Sequence, residues 1–426
     1  MPRAFLAGTG EKMQYLVHEF NDNTIRFLLH YPGVLDVQAL RDAARAVIDR
    51  AEILHASFHP GAIGVYWHVQ QDYEDSSFFH HVQVTGDPVP TAFSLSALPI
   101  LPESRTQLRC TLVQNSAESV VVLSVSHLCA DGSDGRYLLE KLCEGYRLLR
   151  ETGSCATLMI KNGSRKAEQV YENLDLPEIV SLMKSPMTGV KSVFPLPTDR
   201  EGLPGSVRRT IPPETMAAAR TRAKTAGATA NDVLLTACYH AFAALPGMAA
   251  DAPASIMSML DLRRHCTDGE SEGLCNMSGS LPTVLRQGIH ATFSETLQEI
   301  AAQTASVKED PLAGLMGMPL LHGATRTLPM WLLLMAASRL YGSMSVGLTN
   351  LGVIPCDTLA MDGLTPDRGW FGGPLKKKPS VQVSAASFGG ACALCIFGRF
   401  TQEDATVLQG FLDRIAAEIE AYGSHA

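Results

Sequence analysis

The apolar run Ser119–Ser126 stops at His127-Leu128-Cys129-Ala130-Asp131-Gly132, and amphipathic sequence follows at once. The run reads as a largely buried β-strand, and Leu138, Leu139, Leu142, Tyr146 and Leu149 fall at helical spacing after it. Together they predict a strand-to-helix corner. Such a corner lifts one imidazole out of a rigid sheet, lets glycine take a tight backbone turn, and leaves the amides of the helix start facing the site. Histidine, with an unperturbed pKa of about 6.5, is suited to taking and returning a proton at neutral pH.

The chain of 426 residues, 46% hydrophobic, can bury one large core or two ordinary ones, and its length suggests two or three units. A net charge of −8, with no long stretch of clustered Lys and Arg, argues against a nucleic-acid surface and fits a small-molecule or acidic-protein partner better. Ten cysteines are scattered along the chain, and the first residues lack an apolar segment of signal-peptide length. Reduced thiols and a cytoplasmic location are expected. The most hydrophobic stretch, Leu328 to Ala337, is bounded by Arg326 and Arg339 and falls short of the roughly 20 residues that span a bilayer. No membrane span is expected, and this stretch is predicted to be a core helix.

From Thr24 the pattern predicts a strand, a turn at Pro32-Gly33, and a helix from Asp36 to about Arg50 with Asp36 as its N-cap. Further strands are predicted near Ile53–Phe58, Val65–Gln70 and Gln107–Gln114. Periodicity weakens between Glu151 and Gly205, where Gly, Ser, Lys, Pro and Asp become common. The boundary is placed there, giving an N-terminal lobe of residues 1–185 that carries the corner and a C-terminal lobe of residues 186–426. Beyond it come a strand at Val207–Ile211, a helix opened by Pro212-Pro213-Glu214, and a helix after Thr229. Strands follow at Ala254–Leu260, Ser280–Leu285, Met344–Thr349, Ser380–Ser387 and Ala391–Gly398. A last helix runs from Thr401, with a capping-box-like Thr-Gln-Glu-Asp start, to about Tyr422. Both halves mix strands and amphipathic helices, a pattern compatible with an internally duplicated α/β protein.

His127 to Gly132 resembles the His-x-x-x-Asp-Gly signature of the chloramphenicol-acetyltransferase-like acyltransferases. That superfamily includes peptide-synthetase condensation domains, polyketide-associated acyltransferases, alcohol acetyltransferases and plant BAHD enzymes. The stretch from Gly33-Val-Leu-Asp36 through Arg50–Phe58 is similar to the family's opening segment, and Ala230–Leu235, Asp261-Leu262-Arg263-Arg264 and Thr349-Asn350-Leu351-Gly352 are similar to downstream family strings in the same order. The resemblance implies an α/β fold of two similar lobes, each a mixed sheet with flanking helices, forming a V-shaped pseudo-dimer with a central tunnel. Two departures bear on the branch, the first weakening the peptide-bond reading and the second setting the plant type aside, and the resemblance is to the condensation-domain and alcohol-acetyltransferase branch. Ser126 stands where condensation domains carry a second histidine, and the plant-type Asp-Phe-Gly-Trp-Gly string is absent, echoed only in composition by Asp367–Gly373.

What the resemblance implies is a stand-alone acyltransferase of secondary metabolism. It would move an acyl group from a thioester, as acyl-CoA or a phosphopantetheinyl carrier arm, to a hydroxyl or amine of a small-molecule acceptor. His127 would be the general base, with no covalent acyl-enzyme, no cofactor beyond the thioester co-substrate, and an acyl carrier protein as a further partner. In the family the matching aspartate is structural and pairs with an arginine, so the resemblance implies an Asp131–Arg263 pair, and four residues across a tight corner let the Asp131 side chain diverge from His127. Gly132 would supply backbone freedom and an amide toward the developing oxyanion. Thr349 and Asn350 would line the tunnel opposite His127, with a turn-stabilising role as the alternative for Asn350, and Ser126 would hydrogen-bond near the site or, as the favoured alternative, be a plain strand-end serine. The enzyme alternative is a condensation-like catalyst of cyclisation, epimerisation or carrier-bound condensation; the non-enzymatic one is a carrier- or partner-binding module.

Cys392-Ala-Leu-Cys395 is a lone pair in a strand pattern, so core cysteines are expected. No metal is expected, since His127 and Asp131 lack identifiable further donors. Lys376-Lys377-Lys378 reads as a solvated loop.

Overall fold

Every residue of Ser119–Ser126 is buried, and the reason is that both faces of this strand are covered. Val121, Leu123 and Val125 point into one apolar cluster, whereas Val120 and Val122 point into another, as strand alternation requires. The computed structural model describes residues 3–424 apart from 62–63, 172, 185–189, 191, 250, 268, 270–271, 316 and 342–345.

In chain order the strands are β1 (Ala4–Leu6), β2 (Thr24–Tyr31), β3 (Ala56–Pro60), β4 (Val65–Val69), β5 (Phe79–Gln83), β6 (Leu108–Gln114), β7 (Ser119–Ser126), β8 (Leu203–Ile211), β9 (Ala254–Asp261), β10 (Ser278–Leu285), β11 (Val346–Ile354), β12 (Arg368–Gly372), β13 (Val381–Phe388) and β14 (Ala391–Phe400). The helices are α1 (Thr9–Leu16), α2 (Val37–Asp49), α3 (Pro88–Ser96), α4 (Gly132–Thr152), α5 (Leu176–Lys184), α6 (Pro213–Thr225), α7 (Ala230–Ala243), α8 (Phe293–Glu309), α9 (Met318–Thr327), α10 (Met330–Tyr341) and α11 (Gln402–Ser424).

Two sheets organise two lobes. The first is five-stranded in the order β12-β2-β7-β6-β5, with α2 and α4 packed on one face. The second is six-stranded in the order β10-β9-β11-β13-β14-β8, covered by α6, α7, α8 and α11. A small sheet, β1-β4-β3, flanks the first. The lobes share apolar contacts. Leu28, Val122 and Phe93 of the first meet Cys395 and Phe397 of β14 and Trp370 of β12 in one cluster. Strand β14 thereby puts Cys392 into the core of the second lobe and Cys395 into the shared layer, so both are core cysteines on opposite faces.

Helix starts follow local chemistry. Asp36 caps α2 by accepting from the Ala39 amide, Thr229 and Asp232 form a reciprocal capping box on α7, and Thr401 and Asp404 do the same at α11. Three expectations need correction. Residues Glu52–His55 form a 3₁₀ turn, and the strand begins only at Ala56, because Ile53 and Leu54 are both buried where a strand would alternate. Strand β12 was not foreseen; it crosses from late in the chain to pair antiparallel with β2, Trp370 opposite Leu28. The stretch Leu328–Ala337 is not core: Leu333 is buried, yet Trp331 is 63% exposed. The lobe boundary at 185/186 and the start of the strand predicted from Met344 lie outside the described residues.

Candidate active site

The corner is built by pinning the backbone on both sides of one imidazole. The His127 amide donates to Asn23 O at 2.7 Å, extending the β2–β7 ladder one step past its end, and the Cys129 amide closes a turn onto Ser126 O at 3.1 Å. Leu128, Cys129 and Ala130 are buried in the first lobe's core, so His127 is the residue of the turn that keeps some surface open. Asp131 ends the turn as the N-cap of α4, accepting from the Asp134 amide at 3.0 Å.

His127 Nδ1 lies 2.8 Å from Ala130 O, which can only accept. The Asn276 amide nitrogen, a donor, also lies 3.1 Å from Nδ1, but the shorter Ala130 contact assigns the proton to Nδ1, and the Nε2 lone pair is left without a hydrogen-bond partner among the described residues. Burial pushes the ring's pKa below the usual 6.5, against the opposing pull of the Ala130 bond and the Asp131 charge. The group at neutral pH is a neutral imidazole with its basic nitrogen uncommitted. Among the described residues no cluster of three or more His, Cys, Asp or Glu is placed to hold a metal ion.

Behind the ring sits a buried ionic cluster. Arg263 Nη1 is 2.7 Å from Asp131 Oδ2, and Arg263 Nη2 is 3.1 Å from Asp134 Oδ2, with all three side chains almost fully buried. Lys161 Nζ meets Asp134 Oδ1 at 2.5 Å. Burial alone would raise the Asp131 pKa, but the Arg263 charge and three hydrogen bonds, from Arg263 and from the Asp134 and Met277 amides, hold it below the usual carboxylate range. Asp134 goes the other way, to about 6, because burial and the neighbouring Asp131 outweigh its cations.

The second lobe closes over this corner with one short segment. Cys275 N donates to Asp134 Oδ2 at 2.7 Å, Met277 N donates to Asp131 Oδ2 at 2.8 Å, and Asn276 Nδ2 reaches His127 O at 3.2 Å. Asn276 Nδ2 also donates to Gln14 Oε1 at 3.2 Å, so α1 joins the same network. Asn276 and Asp134 were not singled out from sequence. Asp134 carried a readable signal, an acid in the first turn of a helix three residues after its cap. Asn276 carried none.

Gly132 does not need glycine's backbone freedom, since its φ is not positive; the reason is space. A Cβ there would lie 2.7 Å from Leu351 Cδ2, so a second-lobe leucine packs directly on the start of α4. Leu351, rather than Asn350, is thus how the Thr349–Gly352 string touches the motif. Asn350 uses its amide on Asn231 Oδ1 at 3.2 Å and accepts from Gly352 N at 2.9 Å across a bulge where Gly352 has φ 71°. Thr349 sits opposite Ser384 in the β11–β13 ladder. Ser126 Oγ is buried with no hydrogen-bond partner among the described residues. Of the lysine run, Lys378 is bound 2.8 Å from Asp404 Oδ2 and largely buried, so the run is not wholly a solvated loop. A cavity of about 440 Å³ opens among Arg3, Glu52, Asn162 and Arg165, and one of about 130 Å³ lies beside α7; neither is lined by His127.

No family model matches this chain, and no curated protein does. Solved structures do resemble it. The first condensation domain of the CDA synthetase superposes with a TM-score of 0.70 at 17% identity, over 98% of this chain and 96% of that one. The TRI3 trichothecene 15-O-acetyltransferase from Fusarium sporotrichioides gives 0.68 at 14% identity, over 97% and 95%. Polyketide synthase associated protein 5 from Mycobacterium tuberculosis gives 0.67 at 15% identity, over 99% and 100%. The chain thus has the two-lobed mixed α/β fold of condensation-domain and acetyltransferase proteins.

Proposed function

We propose that this chain is an acyltransferase that moves an acyl group from a thioester, as acyl-CoA or a carrier-bound phosphopantetheine, to a hydroxyl or amine of a small-molecule acceptor. The observation that carries this reading is the His127 ring, with Nδ1–H fixed on Ala130 O at 2.8 Å and Nε2 uncommitted. Nε2 takes the proton from the acceptor as its oxygen or nitrogen attacks the thioester carbonyl. The tetrahedral oxyanion collapses, the C–S bond breaks, and the departing thiolate recovers the proton from His127, so ester or amide and free thiol are the products. The substrates would meet in a passage between the lobes, with the Gly132 amide and Ser126 Oγ as hydrogen-bonding groups near the reacting centre and Thr349 and Asn350 on the second-lobe wall.

Asp131 is assigned no part in proton transfer. Its two oxygens already accept from Asp134 N, Met277 N and Arg263, so it braces the loop that aims His127. Ten cysteines scattered along the chain fit a reducing compartment, and a cytoplasmic location belongs to the same reading. The test is thiol release from a panel of acyl-CoA and carrier thioesters with pooled alcohols and amines. Turnover by the wild type and none by His127→Ala is expected; equal turnover by both would end the proposal.

A further inference from the structure

The second-lobe segment 272–277 is gripped at both ends. Its last three residues meet the corner, Cys275 N on Asp134, Asn276 Nδ2 on His127 and Met277 N on Asp131. Its first three meet the stretch 162–165, which follows α4 in the chain. Gly163 N donates to Glu272 O at 2.9 Å, Asn162 pairs with Gly273 in an antiparallel bridge, and Arg165 Nε donates to Leu274 O at 2.7 Å. The two backbones touch where they cross. A Cβ on Gly163 would lie 2.6 Å from Glu272 Cβ and from Glu272 O, and one on Gly273 would lie 2.5 Å from Gly163 O, so both positions need glycine for close approach. Arg165 then closes a circuit. Its Nη2 lies 2.5 Å from Glu11 Oε1 on α1, with the two side chains 17% and 6% exposed. Gln14, three residues on and on the same face of α1, accepts from the Asn276 Nδ2 that also reaches His127.

We propose that Arg165 is a positioning residue for His127: by tying Leu274 to Glu11 it sets where Asn276 meets the imidazole. Arg165 touches neither the ring nor the groups around its free nitrogen and acts through the backbone of 274–276. Leu274 and Asn276 are two residues apart, about 7 Å of extended chain at most, and Leu274 and Cys275 are 1% and 4% exposed, so the segment has no slack to absorb a shift. The consequence for turnover rests on the acyl-transfer reading. The consequence for the His127 ring does not.

The experiment is an NMR titration of the His127 imidazole in the full chain, assigned by the signal lost in His127→Ala, beside kcat and KM for thioester turnover. In Arg165→Ala the His127 midpoint should move up toward 6.5, because the loosened segment lets water reach a ring that burial now holds down. Its kcat should fall about 10- to 100-fold with KM within about twofold, as misplacement of the base predicts. Glu11→Gln keeps an acceptor for Arg165 Nη2 and should retain most of the kcat that Arg165→Ala loses. Arg3→Ala removes a charge from the wall of the cavity that Arg165 also lines, without touching 272–277, and should leave both readings at wild type. If Arg165→Ala misfolds, Arg165→Lys, which keeps a charge for Glu11 but not the planar donor on Leu274 O, decides by the same titration. A His127 titration unchanged in the folded variant, or shifted equally in Arg3→Ala, would overturn the proposal. Wild-type protein that turns over no thioester would count against acyl transfer, and the titration would still decide the role of Arg165.

Discussion

The paired strands β2 and β7 hold a histidine near each end, and the two are set up for opposite purposes. His30, opposite Val120, has Nδ1 2.5 Å from Asp367 and Nε2 2.7 Å from Glu118, so both nitrogens are taken. His127, one step past Ser126, has one nitrogen fixed on a backbone carbonyl and the other uncommitted. The first ties β12's approach to the sheet; the second keeps a nitrogen open for the proton transfer we propose. A histidine's role is set by how many of its nitrogens the fold consumes, more than by how deeply it is buried.

The largest contrast comes from truncating each ring. His127→Ala should lower kcat by roughly 10² to 10⁴ with an unchanged melting temperature. His30→Ala should leave turnover near wild type, so loss of turnover in a folded His30→Ala protein would break the contrast. Next in size is the brace. Arg263→Ala strands two buried carboxylates and should cost about 3–5 kcal/mol in urea unfolding, whereas a loss under about 1 kcal/mol would show the cluster to be solvated. His30→Ala itself should cost only about 1–2 kcal/mol, because Asp367, half exposed, regains water.

The smallest effect is in pH. The His127 pKa is depressed on folding, so the acid limb of kcat/KM should have its midpoint below 6.5, and a midpoint at or above 6.5 would contradict the buried neutral ring. The stability sign agrees. As pH falls below 6.5 the unfolded chain takes up a proton at this residue before the folded one does, so His127 makes folding less favourable there.

The corner was legible because its signals are local: an apolar run, a cap residue and a helical period within a few turns of one another. The capped starts of α2, α7 and α11 were readable for the same reason. What stayed hidden depends on residues far apart in the chain. Glu118 and Asp367 reach His30 from separations of 88 and 337 positions, and Asn276 reaches His127 from 149. Hydrophobicity also misled where it usually serves, since the apolar content of Leu328–Ala337 gave no hint that Trp331 and Met335 face outward. The Asp131–Arg263 pair came from family resemblance, and only the structure adds Asp134 as a third member.

Strand β12 has a consequence for biosynthesis. The amino-terminal lobe leaves the ribosome long before residues 368–372, its own outer strand, have been made. Until then β2 is a bare edge of Ile25, Phe27 and Leu29 backbone, open to any nascent chain nearby. A gene cut between the lobes would make that interval permanent, and its product should be recovered as inclusion bodies.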